Sequence, residues 1–180
     1  SHALPRDTSA RKKLLFLYAS QSGNAESIAK LLCHTAATEK GLIDPSEADA
    51  RCMTLNDAEK KGVLVDRSKS EVVVLVVATH GEGDYPDNGQ RMKRWLKKAK
   101  TEEVREGLAE LHYTVLALGD TNYETFCQSG KNCDTRLCDL GARRFYPRGE
   151  ADDGTGLDIV VDPWIAGLWP VLSQLVETPT

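Results

Sequence analysis

Three stretches of this chain are almost solidly apolar: Leu14-Leu15-Phe16-Leu17-Tyr18, Val72-Val73-Val74-Leu75-Val76-Val77 and Tyr113-Thr114-Val115-Leu116-Ala117-Leu118. A strand with one face in water alternates apolar and polar residues. These do not, so each predicts a strand covered on both sides, at the centre of a parallel sheet. Between them the spacing changes to that of amphipathic helices. Ile28, Leu31 and Leu32 recur at i, i+3, i+4, and Met92, Trp95, Leu96 and Ala99 extend the same pattern to i+7. Leu168, Trp169, Leu172, Leu175 and Val176 form a further stripe. Glycine marks the end of the first helix near Lys40-Gly41 and of another, spanning about 130–140, at Gly141. Asp162-Pro163 predicts the start of the last helix, with aspartate as cap and proline at the first helical position.

Weaker signals fill the gaps. Ala50 to Leu55 reads as a short second strand, and Asn56-Asp57 opens a short helical or irregular segment. Arg143 to Tyr146 reads as a last short strand ending at Pro147, and Gly149 to Gly154 as a loop. Strand and helix thus alternate about five times with short connections. That pattern predicts an α/β fold, a doubly wound five-stranded parallel sheet with helices on both faces. Residues 12–176 form the domain, with 1–11 expected as a loose tail and 177–180 as the start of a linker.

Composition narrows the function classes. At 180 residues the chain suffices for one full core. A net charge of −4, from 27 acidic against 23 basic side chains, gives no nucleic-acid footprint. The basic residues Arg91, Lys93, Arg94, Lys97 and Lys98 share the polar side of one helix and read as a solvated face. No apolar run looks long enough to cross a bilayer, and Ser1 to Arg6 does not resemble a secretory signal. The five cysteines (Cys33, Cys52, Cys127, Cys133, Cys138) are odd in number and contain no C-x-x-C. They predict free thiols in a reducing, cytoplasmic setting rather than a disulfide framework or a zinc site. An N-terminal anchor on a cytoplasmic membrane face stays open, and a monomer is expected.

Candidate chemistry lies in the loops after the three apolar strands. In open α/β sheets ligands bind beyond the carboxyl ends of the strands, where strand order reverses. The first loop, Ser20-Gln21-Ser22-Gly23-Asn24, runs into a helix whose first N–H groups lack partners, which suits a phosphate. It matches neither G-x-x-x-x-G-K-[ST] nor G-x-G-x-x-G. The same residues also suit an ordinary turn with serine as helix cap, and both readings are open from this loop alone. The second loop, from Ala78-Thr79-His80-Gly81-Glu82-Gly83, has glycines that permit close backbone approach. The third, from Leu118-Gly119-Asp120 through Tyr123, brings an aromatic ring. His80 and Tyr123 are candidates to face a planar ligand, although taken singly a tyrosine is more often a packing residue and a histidine a surface or capped one.

Together, Ser20 to Glu26, Ala78 to Asp84 with Asp87-Asn88, and Leu118-Gly119-Asp120 with Tyr123 and Phe126 resemble the three FMN loops of the flavodoxin-like module in diflavin reductases. That family includes NADPH–cytochrome P450 reductase, methionine synthase reductase and nitric oxide synthase reductase domains. The resemblance runs from Lys13 to Leu175. The segments around Phe126 to Arg143, Ala151 to Asp153 and Pro163 to Trp169 are most similar to the methionine synthase reductase branch, and Glu82 to Asn88 to P450 reductase. It implies that Ser20, Gln21, Ser22, Gly23, Asn24 and Ala25 wrap the FMN phosphate. Ala78, Thr79, His80, Gly81, Glu82 and Gly83 would border one side of the ring. Leu118, Gly119, Asp120, Tyr123, Thr125, Phe126 and Cys127 would border the other, with Tyr123 stacked and Asp152 near the solvent-facing edge. His80 stands where several relatives carry tyrosine, and imidazole stacks less well.

The resemblance calls for no catalytic acid, base or nucleophile and no metal, because the flavin carries the redox chemistry. It implies an electron-transfer module that receives electrons from an FAD/NADPH module absent from these residues. The acceptor would be a haem, cobalamin or other protein, with a basic partner drawn to Glu82, Asp84, Asp120 and Asp152. A free-standing flavodoxin carrier, or a doubly wound interaction module without flavin, are the alternatives.

Overall fold

The computed structural model describes residues 11–66 and 71–178. The three apolar runs become β1 (Lys13–Ala19), β3 (Glu71–Ala78) and β4 (His112–Gly119), parallel neighbours at the centre of the sheet. β2 (Cys52–Thr54) pairs with the outer side of β1, after a 3-10 turn over Pro45–Arg51. Beyond β4 lie β5 (Arg143–Arg144) and β6 (Gly149–Asp152), both parallel to β4. The order is β2-β1-β3-β4-β5, with β6 continuing the β5 edge along β4. Six segments therefore occupy five strand positions.

Side chains of each central strand divide between two cores, as alternation on a pleated strand requires. Leu14, Phe16 and Tyr18 pack with Val72, Val74 and Val76 under α1 (Asn24–Thr38) and α6 (Asp158–Glu177). Leu15, Leu17 and Ala19 pack with Val73, Leu75, Val77 and Val115 on the opposite face. That face is covered by α2 (Leu55–Lys60), α3 (Gln90–Lys98), α4 (Thr101–Leu108) and α5 (Gln128–Asp139). Burial of both faces is why these strands show no polar alternation.

Several expectations are corrected. Gly149 to Asp152, read as a loop, is a strand; its sequence signal would have been alternation, and a segment of Gly-Glu-Ala-Asp has one small apolar side chain to show it. The Arg143 strand stops at Arg144, because the chain must leave the ladder before Pro147, which has no N–H to give. The last helix starts at Asp158, not Asp162, so Pro163 lies inside it rather than at its first position. By length and composition α6 is also apolar enough to cross a bilayer, contrary to the sequence reading, yet Trp164, Leu168, Trp169 and Leu172 are buried against the sheet. α4 has no counterpart among the elements predicted from the sequence. Gly141 does close α5: its φ is +102°, Ala142 N–H donates to Leu137 O (3.0 Å) and Gly141 N–H to Cys138 O (3.0 Å).

The expected tail lies outside the described residues except for Arg11, whose guanidinium donates to Gly41 O (2.7 Å) and faces Glu177. Of the expected linker, Glu177 is the last residue of α6, and 179–180 lie outside the described residues.

Candidate functional site

After β1 the chain turns through Ser20 to Gly23 into α1. Ser20 N–H donates to Asn88 Oδ1 (2.9 Å) and Gly23 N–H to Ser20 Oγ (3.0 Å). Gly23 precedes the helix with φ +101°, a conformation open to a residue without Cβ. No side chain caps α1, so the reading of this loop as a serine-capped turn is not what the chain does. The first-turn N–H groups of the helix have no acceptor inside it, and they carry the positive end of its dipole. Gln21 Oε1 accepts from Asp87 N–H (3.1 Å), tying this turn to the next one.

The loop after β3 is closed on itself. His80 and Asp84 exchange backbone hydrogen bonds (2.7 and 2.9 Å), and Gly81 and Gly83 take positive φ of +54° and +99° between them. A Cβ on Gly83 would lie 2.9 Å from Thr125 Cβ, so the second and third loops touch there. Asp84 Oδ1 pairs with Lys93 Nζ at 2.6 Å, and that ammonium holds the carboxyl below its ordinary range. Behind the loop, Ser129 Oγ donates to Ala78 O (2.7 Å) and lies 2.9 Å from Thr79 Oγ1.

The third loop leaves β4 at Gly119, where a Cβ would sit 2.5 Å from Cys127 N. Cys127 is fully buried with φ +55°, its Sγ 3.5 Å from Ala117 O, and burial pushes its thiol up to about 12. Asp120 Oδ1 accepts from Asn122 N–H (2.9 Å). Tyr123, by contrast, is 64% exposed. Asp152 accepts from the Thr121 hydroxyl, Thr121 N–H (2.9 Å) and Gly154 N–H (2.9 Å), and these bonds hold its carboxyl below the ordinary range.

The three strand ends enclose one cleft of about 570 Å³, within the ~300–1,000 Å³ typical of ligand sites. Of the residues singled out in sequence, Gln21, Ser22, Asn24, Ala78, Thr79, His80, Gly81, Glu82, Leu118, Gly119, Asp120, Tyr123 and Thr125 line it. Ser20, Gly23, Ala25, Gly83, Phe126, Cys127 and Asp152 do not: they shape the loops from behind. The Phe126 ring instead lies under Lys131 Nζ, 5.3 Å away. Asp153 and Leu157 line the cleft and were missed. Asp153 N–H donates to Gly119 O (2.8 Å), an extension of the β6–β4 pairing that a loop reading could not supply. Leu157, a single apolar residue after a glycine-rich turn, gave no sequence signal.

The lining contains three carboxylates (Glu82, Asp120, Asp153) and no lysine or arginine. An anionic group here would rest on the α1 amides and the Ser22 hydroxyl. The remainder, with an uncommitted tyrosine ring and Gly81 at positive φ, fits a flat aromatic ligand with an anionic tail.

Comparisons agree with that geometry. The flavodoxin family profile matches residues 16–164. Human methionine synthase reductase is 39% identical over 164 residues, 91% of this chain and 22% of that protein. The sulfite reductase [NADPH] flavoprotein alpha-component of Shewanella sp. (strain MR-7) is 35% identical over 173 residues, 96% of this chain and 26% of its own length. The chain thus spans about a quarter of the curated relatives it matches. Among solved structures, oxidised flavodoxin 2 from Bacillus cereus superposes with a TM-score of 0.63 at 22% identity, covering 90% of this chain and 98% of that one. On the family match and the shared strand order, the chain belongs to the flavodoxin family.

Proposed function

We propose that this chain binds FMN and serves as the electron-transfer module of an NADPH-dependent diflavin reductase. The observation that carries the reading is the joining of an uncapped helix N-terminus, a doubly glycine-hinged loop and an exposed tyrosine in a single cleft. FMN would supply the one- and two-electron chemistry. The protein's part is to bind, orient and bias. The α1 amides and the Ser22 hydroxyl hold the phosphate. Ser20 Oγ accepts from Gly23 N–H and so fixes the turn that presents those amides. Tyr123 offers a ring face, and the Gly81 turn brings backbone rather than side chain close to the ring edge.

Charge sets the bias. Glu82, Asp120 and Asp153 disfavour a negative charge developing on the ligand, which lowers the potential of the bound group. Asp84, expected to contribute, is neutralised by Lys93, whereas Asp152 accepts only from the neutral Thr121–Thr155 turn and keeps its negative charge just behind the lining. The FAD/NADPH module, a basic acceptor protein and a reducing cytosolic setting complete the proposal, supported by the names of the relatives, the acidic rim and the free thiols.

Titration of flavin-free protein with FMN tests the reading. The expected result is one equivalent bound, with flavin fluorescence quenched and riboflavin, which lacks the phosphate, bound at least tenfold more weakly. A protein that takes up no FMN, or that binds riboflavin equally well, refutes it.

A further inference from the structure

Residues 91–100 hold six of the chain's 23 lysines and arginines (Arg91, Lys93, Arg94, Lys97, Lys98, Lys100) and none of its 27 acids. The other residues carry 17 basic against 27 acidic side chains, so one helix of a net-negative protein is strongly positive. A merely solvated helix gains from opposite charges at i, i+4. Here Lys93–Lys97 and Arg94–Lys98 are like pairs at that spacing, which oppose the helix they sit on.

The structure shows which of these charges serve the fold. Arg91 pairs with Glu59 and Lys93 with Asp84. Arg94, Lys97, Lys98 and Lys100 are exposed and have no ion-pair partner among the described residues. Two of them, Arg94 and Lys98, line a groove of about 420 Å³ between α3 and α4, where half-buried Trp95, Ala99 and Val104 give apolar surface and the paired Arg91 and Glu59 close one end. Tryptophan and arginine around a small apolar centre are the composition of interface anchors. The same helix reaches the loop after β3, for Lys93 shares a hollow of about 490 Å³ with His80–Asp84, beside the cleft.

We propose that the basic face of α3, with the α3–α4 groove, docks an acidic protein partner that seats an apolar side chain against Trp95. Charge complementarity fixes the partner's sign, and the groove requires an apolar residue among its carboxylates. Glu103 on the groove wall disfavours a uniformly anionic phosphate surface. A basic protein drawn to the cleft rim would be repelled here, so the two surfaces sort partners by charge. The inference goes beyond the proposed flavin chemistry and does not depend on it.

The test is fluorescence anisotropy of a labelled synthetic peptide, glutamates with leucine or phenylalanine at every third or fourth position, titrated with the 180-residue chain. Binding is expected at low salt, weakening steeply as salt rises. Arg94→Glu with Lys98→Glu should weaken it about tenfold or more, whereas Lys40→Glu on the opposite helical layer should leave it within twofold. Thermal melting of each variant separates lost binding from lost fold, and Arg94→Gln with Lys98→Gln gives a milder second variant. The proposal is overturned by any of four results: no saturable binding, equal binding of the glutamine counterpart, insensitivity to both double variants, or displacement by phosphatidylserine vesicles or duplex DNA at concentrations below those of unlabelled peptide.

Discussion

Replacing Tyr123 with alanine separates ligand binding from stability, because the ring lines the cleft yet is exposed. An aromatic side chain presents ~150–250 Å², and Tyr123 leaves 64% of its surface to solvent. If a flat ring covers one face of it, roughly 50–80 Å² leave water, worth about 1.3–2 kcal/mol at ~25 cal/mol/Å². Offset stacking adds ~0.5–1.5 kcal/mol. Loss of the ring should therefore weaken FMN binding by about 1.8–3.5 kcal/mol, or ~20–400-fold. The fold should hardly notice, because the side chain is exposed and Tyr123 is tied to the loop through its backbone, N–H to Asp120 O (3.1 Å); an exposed substitution of this kind falls within ~0.5 kcal/mol. Quenching of FMN fluorescence by flavin-free protein measures the affinity, and urea denaturation of the same flavin-free samples measures stability. Phenylalanine at 123 should restore most of the affinity. An alanine variant that binds FMN about as well as the parent would refute the stacking argument, and one that loses more than about 1.5 kcal/mol of stability would show Tyr123 to be a packing residue after all.

Three other outcomes follow from buried and hydrogen-bonded groups elsewhere. Asp134 is 1% exposed and accepts from Tyr113 Oη (2.6 Å), Arg144 (2.7 Å) and Arg148 (2.6 Å); Asp134→Ala should cost about 3–5 kcal/mol by denaturant titration, and a cost under about 1 kcal/mol would mean that water replaces the carboxylate. Because Thr121 and Gly154 hold the Asp152 carboxyl below its ordinary value of 3.8, its contribution is complete above that value and disappears as pH falls through the lower folded one. The acid limb of stability against pH should thus be shallower in Asp152→Asn, and identical limbs would contradict the assignment. Thiol titration should find Cys138, the exposed cysteine, reacting first in native protein, while Cys127 and Cys133, buried and pushed up to about 12, react only on unfolding; rapid native modification of either buried thiol would disprove their packing.

The sequence by itself determined the layered α/β architecture and where its ligand site had to be. Val72 to Val77 cannot face water on either side, so helices must cover both, and ligand loops must follow the carboxyl ends of such strands. Thirteen of the twenty residues that the family resemblance assigned to those loops do meet in one cleft. What the sequence left open depended on distances between segments far apart in the chain. Only tertiary structure shows that Gly23 rather than a serine begins α1, that Asp152 spends its carboxylate on Thr121, and that Asp153 reaches the cleft through β6. Gly149 to Asp152 becomes a strand because β4 offers an open ladder beside it, not because four weakly patterned residues prefer one. Local pattern signals which residues must be buried, because hydrophobicity and its period are carried by the residues themselves. Which carboxylate is left for a ligand is settled by partners that the fold alone brings within hydrogen-bonding reach.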